Sequence, residues 1–345
     1  MPSMKVSDLG EFGLIDLIRN SIARHDGPEQ ALWRGVLVGI GDDAAAWRGD
    51  DTIHLATTDT LVQDVHFDLG VIQWDELGWK ALAVNLSDIA AMGGVPRYAL
   101  LSLALPGDVE IADVSRFSDE MVHLAREFGV AIVGGNTATA PNVVVTMTVI
   151  GYCKGDSMLR RSTATPGQQI AVTGSLGASA AGLAMLKDKT MLDSEVAQYL
   201  RRAHLKPMPR VREGQTLIEQ GVRTAIDVSD GLIADLDHIC EASRVNARIR
   251  LEHVPVHAMV AANFANYREL ALCGGEDYEL VFTALEGTVK RAQQALDCPV
   301  TIIGEITGES SDARVTVLNG EGNVMPYERA GWGHFKDGRS RTSFA

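Results

Sequence analysis

Apolar residues recur along this chain in two rhythms, one alternating and one with a period of about 3.6 residues, and their order predicts strands interleaved with helices. An early stripe of Leu14, Ile15, Ile18 and Ile22 has helical spacing. Residues 36–40 and 54–57 read as strands, each running into an acidic cluster. Residues 75–92 form a strong helical pattern that Gly93 and Gly94 terminate, because glycine reaches the left-handed conformation that closes a helix. A strand follows at 98–105, ended by Pro106 and Gly107. Then come a helix at 112–128, a short strand at 130–133 and a strand rich in β-branched residues at 143–152.

Thr165-Pro166-Gly167 marks a turn near which a new unit begins. It continues with strands at 169–173, 224–228, 247–251, 279–283, 300–306 and 314–318, and with helices within 178–186, 210–221 and 232–243. No fixed repeat period is evident. The chain has 345 residues, more than one hydrophobic core usually organises, so two domains are expected. The boundary is placed near residue 155, giving units of 1–155 and 156–345. The mixture of elements predicts an α/β (α+β) class.

Composition narrows the functions open to such a chain. A net charge of −14 argues against a nucleic-acid partner, which requires a basic footprint. It leaves nucleotides open, provided that divalent cations stand between the acids and the phosphates. Cys153, Cys240, Cys273 and Cys298 are scattered, with no C-x-x-C pair, which disfavours a zinc site or a disulfide framework and fits a reducing cytosol. The start lacks a signal-peptide pattern, and no apolar run approaches the ~20 residues that span a bilayer. A cytoplasmic protein without membrane association is the expectation.

Five short segments share one chemical design: Gly41-Asp42-Asp43, Thr57-Thr58-Asp59-Thr60, Asn85-Leu86-Ser87-Asp88, Gly134-Gly135-Asn136-Thr137 and Asp227-Val228-Ser229-Asp230-Gly231. Four carry aspartate, most have a hydroxyl or amide neighbour, and four fall at or near the end of a predicted strand, where ligand loops gather in sheet proteins. Short oxygen ligands without histidine or cysteine suit Mg2+. Each segment also has an ordinary reading. Gly-Asp-Asp is a common turn, Ser87-Asp88 could be a solvated helix face, and Ser229 or Asp230 could cap the helix that follows. It is their number that points to metal and phosphate. The run from Gly174 to Gly182 follows a strand and opens a helix. It reads equally as a phosphate cradle or as close packing through small residues.

Taken together, the motifs resemble the thiamine-monophosphate kinases, a branch of the superfamily that includes aminoimidazole ribonucleotide synthetase and selenophosphate synthetase. The resemblance is carried by Gly10-Glu-Phe-Gly-Leu-Ile15, Gly39-Ile-Gly-Asp-Asp-Ala44, Thr58-Asp-Thr-Leu-Val62, Val65-His-Phe67 and the run from Lys80 to Gly93. Gly134-Gly135, Ala225-Ile-Asp-Val-Ser-Asp-Gly-Leu232, Gly274-Gly-Glu-Asp-Tyr-Glu-Leu280 and Ile303-Gly304 complete it. It implies a two-domain PurM-like fold. The N-terminal domain would bind ATP and Mg2+ and join a second copy in an intersubunit β-barrel, and the C-terminal α/β domain would complete the cleft. It implies several Mg2+ ions held by Asp43, Thr57, Thr58, Asp59, Asp88, Asn136 and Asp227, with Asp230 on a further ion. Gly135, Asn136, Arg161 and Ser229 would meet ATP, and His66, Glu276 and Trp332 the thiamine phosphate. Asp59, Asp88 and Arg161 would carry catalysis. Asn136 departs from the family pattern, which usually has Asp there. The implied reaction is phosphorylation of thiamine monophosphate by ATP. The alternatives are another ATP-dependent enzyme of the superfamily, or a non-catalytic binder of thiamine phosphates or nucleotides.

Overall fold

The computed structural model describes residues 35–49, 51–155, 157–308 and 315–327. The early helical stripe, the Gly10 motif, Arg314 and Trp332 lie outside the described residues. The first half contains β1 (Val36–Val38), β2 (Ala45–Arg48), β3 (Ile53–Val62), α1 (Trp74–Ala91), β4 (Val95–Leu105), α2 (Ile111–Glu127), β5 (Ala131–Thr139) and β6 (Val144–Cys153). Its strands form one sheet in the order β1-β2-β3-β6-β4-β5, antiparallel except for the β4–β5 pair. Strand β6 shows why the sheet has two unlike faces. Val145, Met147, Val149 and Cys153 point to one side and are buried, while their neighbours are half-exposed.

The second half runs β7 (Gln169–Thr173), α3 (Ala178–Asp188), α4 (Ser194–Leu205), α5 (Val211–Glu219), β8 (Thr224–Asp227), α6 (Leu232–Ser243), β9 (Asn246–Arg250), α7 (Ala258–Asn263), α8 (Tyr267–Cys273), β10 (Leu280–Ala284), α9 (Glu286–Ala295), β11 (Val300–Thr307) and β12 (Val315–Leu318). Its sheet order is β12-β9-β11-β7-β10-β8, with a single parallel pair, β12–β9. The sheets are therefore mostly antiparallel, and of the two expected labels α+β is the one that fits. Strands β7 and β10 are buried on both faces, which is why they read as unbroken apolar runs.

Helix α1 joins the halves. Sixteen of its eighteen residues are buried, including Lys80, Asn85 and Ser87. Such enclosure erases the amphipathic stripe that marks a surface helix. Its start is fixed by a capping box in which the Gln73 N–H donates to Glu76 Oε2 at 2.8 Å. Close approach on both sides depends on missing side chains. A Cβ at Gly78 would lie 2.1 Å from the Phe117 carbonyl oxygen, and one at Gly214 of α5 would lie 2.1 Å from the Ala90 carbonyl oxygen. The main apolar core accordingly runs without a break from Leu82, Leu86 and Phe117 to Leu217, Ala225 and Phe282, on the near face of the second sheet. A separate core lies on that sheet's far face, built from Ile170, Val172, Ile226 and Val281 with Leu236 and Ile239 of α6.

Two strands are longer than the hydrophobic pattern predicts. Strand β3 extends to Val62, so Thr57 to Thr60 sit within it rather than at its end. Strand β5 continues through Gly134-Gly135-Asn136 to Thr139, because β4 pairs with it along that length. Helices α4, α7, α8 and α9 and strand β2 have no counterpart in the predicted elements. No helix among the described residues is long and apolar enough to cross a membrane.

Candidate active site

Because β3 passes the acidic segment as a regular strand, its side chains alternate between faces. Thr57 and Asp59 turn toward α1: the Thr57 hydroxyl donates to Asp88 Oδ2, and the Asp59 N–H donates to Asn85 Oδ1 at 3.0 Å. Thr58 takes the opposite face. Its hydroxyl donates to the Met147 carbonyl at 2.9 Å and accepts from the Thr148 hydroxyl at 3.0 Å. The strand's period of two therefore gives the adjacent hydroxyls different neighbours, Thr57 the Asp88 carboxylate and Thr58 the Met147 carbonyl and Thr148 hydroxyl.

Asp43 comes from the turn between β1 and β2, Asp88 from α1 and Asp227 from the end of β8. One carboxylate oxygen of each lies within 4.8 Å of the others. Asp59 stands against Asp88, with a hydrogen bond between the two side chains. Ser87 Oγ donates to Asp227 Oδ2 at 2.6 Å across the two halves. Arg161 closes the group, donating from Nε (3.1 Å) and a terminal nitrogen (2.7 Å) to the two oxygens of Asp43. Its backbone N–H donates to Asp42 Oδ2 at 3.2 Å. Ser243 of α6 fixes that turn, accepting from the Ala164 N–H and donating to the Arg161 carbonyl.

Packing several carboxylates together under cover raises their proton affinity. Burial first and mutual repulsion second push Asp88 and Asp227 well above the usual carboxylate range. Asp42 is pushed up to about 7 by burial and by Asp43, with Arg161 opposing. Burial works against the charge of Arg161, yet Asp43, Asp42 and Asp227 hold its guanidinium firmly protonated.

Asp230 belongs to an adjoining group. Its carboxylate gathers with Asp235 and His238 of α6, and the charges of Asp230 and Asp227 both add to the upward push that burial gives Asp235. Gly135 and Asn136 stand apart, exposed on β5, three strand spacings or on the order of 14 Å from β3. Glycine is required at 135, where a Cβ would lie 1.7 Å from the Leu101 carbonyl oxygen.

The Gly274–Glu279 motif has a definite place. Its backbone is laced to the Asp227–Asp230 segment: Glu276 N–H donates to the Ser229 carbonyl at 2.8 Å, and Tyr278 N–H to the Val228 carbonyl at 2.9 Å. Glu276 and Tyr278 adopt the left-handed region, with φ of 65° and 51°. Each acid of the motif then finds a different partner. Glu276 pairs with Lys80 Nζ at 2.8 Å and lies 3.3 Å from His204 Nδ1. Glu279 takes a two-pronged contact from Arg210 and a hydrogen bond from Thr173. Asp277 accepts from the Gly177 and Ser179 N–H groups at the start of α3. The helix N-terminus in the Gly174–Gly182 run thus holds a carboxylate of the protein itself in the position a phosphate would take.

His66 accepts from the Val62 N–H at 3.0 Å and faces a small hollow also lined by Phe67, Ile72, Lys80, His204 and Leu205. Glu276 touches Lys80 and His204 of that lining, so two of the three expected substrate residues stand about one hollow.

Residues 41–153 match the family model of the AIR synthase related protein, N-terminal domain, and residues 165–316 that of the C-terminal domain. Thiamine-monophosphate kinase of Bacillus subtilis is 38% identical over 336 residues, covering 95% of this chain and 100% of the relative. The Escherichia coli K12 enzyme of that name is 40% identical over 333 residues, covering 94% and 98%. The chain belongs to the thiamine-monophosphate kinase family. A solved structure of one member, AaThiL complexed with AMPPCP and TMP, superposes with a TM-score of 0.82 at 31% identity, covering 97% of this chain and 100% of that one.

Against the family pattern, the structure adds residues to which the resemblance assigned no role. Asp42, Ser87, Lys80, His204 and Asp235 all touch the acids or the hollow. Lys80 carried one available signal, an ammonium among otherwise apolar or small residues in mid-helix. His204 carried none.

Proposed function

We propose that this chain transfers the γ-phosphoryl group of ATP to thiamine monophosphate, giving ADP and thiamine diphosphate, in a cytoplasmic homodimer that uses several Mg2+ ions. The observation that carries the reading is the meeting of Asp43, Asp88 and Asp227, drawn from both halves of the chain, with Glu276 set against Lys80 and His204 of the hollow that His66 faces.

The donor set fits magnesium. It is all carboxylate and hydroxyl oxygen, and buried carboxylates whose proton affinity is raised by mutual repulsion are relieved by a hard divalent cation. Asp43, Thr57, Asp59, Asp88 and Asp227 would hold such ions, with Asp230 on a neighbouring one beside Asp235. Bound ions would supply charge neutralisation between two polyanions that otherwise repel by about 4 kcal/mol per pair of unit charges at ~4 Å and an effective dielectric of ~20. Thr58 and Asn136 are assigned to a metal ion as well, where the neutral amide oxygen of Asn136 would bind more weakly than a carboxylate. Gly135, Asn136, Ser229 and Arg161 are assigned to the nucleotide, and His66, Glu276 and Trp332 to the thiamine phosphate.

The protein's own part in the step is alignment. The attacking phosphate oxygen is already ionised near neutral pH, since the second pKa of a phosphomonoester is about 6, so no side chain need take a proton. As the terminal phosphorus–oxygen bond of ATP breaks and the new one forms, the spread negative charge is met by Arg161, whose ion pair with Asp43 keeps it charged and in place. The solved AaThiL complex, which contains AMPPCP and TMP together, supports binding of an ATP analogue and a thiamine phosphate by this fold.

The dimer rests on a different observation. The face of the first sheet turned away from α1 carries Tyr98, Leu100 and Val133, which are 43%, 39% and 57% exposed, and β5 is an uncovered edge strand.

The test is chromatographic. Purified protein with Mg2+, ATP and thiamine monophosphate should form thiamine diphosphate and ADP in equal amounts, and Asp88→Asn should lower turnover by at least about a hundredfold. ADP formation only with some other phosphate acceptor would overturn the substrate assignment, and a fully active Asp88→Asn enzyme would overturn the metal assignment.

A further inference from the structure

Lys80 is the bulkiest fully enclosed side chain among the described residues. A buried ammonium needs a counter-charge and acceptors for its three donors. The fold supplies Glu276 Oε1 at 2.8 Å and the His204 carbonyl at 3.1 Å. Glu276 is thus reached from the other half of the chain by a lysine in the middle of α1. Its second oxygen lies 3.3 Å from His204 Nδ1, which in turn is 3.0 Å from Ser179 Oγ. The Glu276 backbone is pinned in the left-handed region by its bond to Ser229. Yet the side chain remains 30% exposed, and that exposed part is what a ligand can meet.

Charge accounting then separates two roles that a glutamate could play toward a ring that carries both an amino group and a positive charge. Burial pushes the Glu276 carboxyl up, but its neighbours, the Lys80 charge and hydrogen bond foremost, outweigh it and hold it below the usual carboxylate range. His204 is pushed down to about 3, by burial first and by the Lys80 charge second, and is neutral at pH 7. The groups facing Glu276 are Lys80 from α1, His204 from α4, His66 from the loop after β3, and Tyr278 from its own loop. The direct ion pair of Glu276 is with Lys80, at 2.8 Å. The Glu276 charge is therefore already balanced inside the protein, whereas its oxygens, with two lone pairs each, can still accept.

We propose that Lys80, supported by His204, is a positioning residue that turns Glu276 into a charge-balanced hydrogen-bond acceptor for the ring amino group of the substrate, and that Glu276 is not the counter-ion of the cationic ring. The proposal rests on the reading that the exposed part of Glu276 meets the rings of thiamine monophosphate. It makes this site the place where an amino-bearing ring is told from a ring carbonyl, which would point an acceptor at an acceptor.

The experiment is steady-state kinetics of the full chain at saturating Mg2+ and ATP. Thiamine monophosphate is compared with its oxo analogue, in which a carbonyl replaces the amino group. The wild type should prefer the amino substrate by at least about a hundredfold in kcat/KM. Lys80→Arg should stay within about tenfold of it. Lys80→Met and Glu276→Gln should each raise KM for thiamine monophosphate by more than about tenfold with little change in kcat, since each leaves one buried charge alone. The double variant K80M/E276Q should bind better than either single one, because it buries no unbalanced charge and the side-chain amide that replaces the carboxylate still accepts through its carbonyl oxygen. Single-variant losses that add in the double variant would overturn the proposal while leaving the substrate site in place. Unchanged KM in both single variants would instead remove Glu276 from the substrate site. If a single variant does not fold, the double variant decides: an amino preference of at least about tenfold supports the proposal, and equal use of the two substrates overturns it.

Discussion

At the scale of residues, the acids around Arg161 are held in an arrangement that disfavours their own charge. Asp42 takes up a proton near pH 7 in the fold, whereas an aspartate in an unfolded chain does so near ~3.9. A folded-state pKa above the unfolded one means that this contribution to stability is fully present below about pH 4 and is lost as the pH rises through about 7. Asp88 and Asp227 shift in the same direction. In chelator, the melting temperature should therefore be higher at pH 5 than at pH 8. Mg2+ should raise it more at pH 8, where the carboxylates are ionised and ready to bind. A thermal-melt series across pH with and without Mg2+ checks both statements; a Mg2+ effect that is larger at pH 5 would contradict them. Much of this site was legible in the sequence, because aspartates with hydroxyl neighbours are short motifs. What was not legible was orientation. Thr57 and Thr58 are adjacent and chemically identical, and only the unbroken course of β3 sends one hydroxyl to Asp88 and the other to Thr148.

At the scale of elements, α1 shows how packing on every side is read from sequence. Its small residues suggested a helix but not its surroundings, and Gly78 is the position where the difference matters. A methyl group there would press on the Phe117 backbone of α2, which cannot rotate away as a side chain could. Although alanine is the better helix former, Gly78→Ala should lower stability by about 1–3 kcal/mol, measured by urea unfolding; a stabilised variant would show that α1 and α2 can separate freely. Two of the elements missing from the pattern, α4 and α9, share a physical cause. Helix α4 meets α1 and α2 through Arg201–Glu76, and Lys206 just beyond it through Asp75 and Glu120, in addition to an apolar stripe. Helix α9 buries only Val289 and Ala292. Neither presents the wide apolar face by which helices are recognised. Strand β5 was cut short for the opposite reason: Gly134, Gly135 and Asn136 have turn chemistry, but pairing with β4 keeps them extended.

At the scale of the whole molecule, the open face of the first sheet decides whether the chain works alone. Apolar side chains at the centre of an otherwise threonine-lined surface, next to an uncovered edge, match an interface better than a solvent boundary. Light scattering after size exclusion should give twice the chain mass. Leu100→Asp should convert it to the mass of one chain, since an unpaired charge at the middle of an apolar contact costs several kcal/mol. A monomeric wild type would remove the dimer from the reading. The sequence could point to this surface only through family resemblance, since strand alternation alone does not say which face is covered by helices and which by a second copy.

Helix α1 carries Lys80 near one end of the cleft and Asp88 near the other. The eight-residue step from one to the other corresponds to about 12 Å along a helix axis. Both positions are measured off one rod that is clamped from two sides and cannot stretch. Under the proposed function, a substrate that meets Glu276 while offering an oxygen to the acids has to bridge that interval, which would make α1 a gauge of length. On that reading, molecules of the right chemistry but the wrong span would be rejected by geometry before any bond is made.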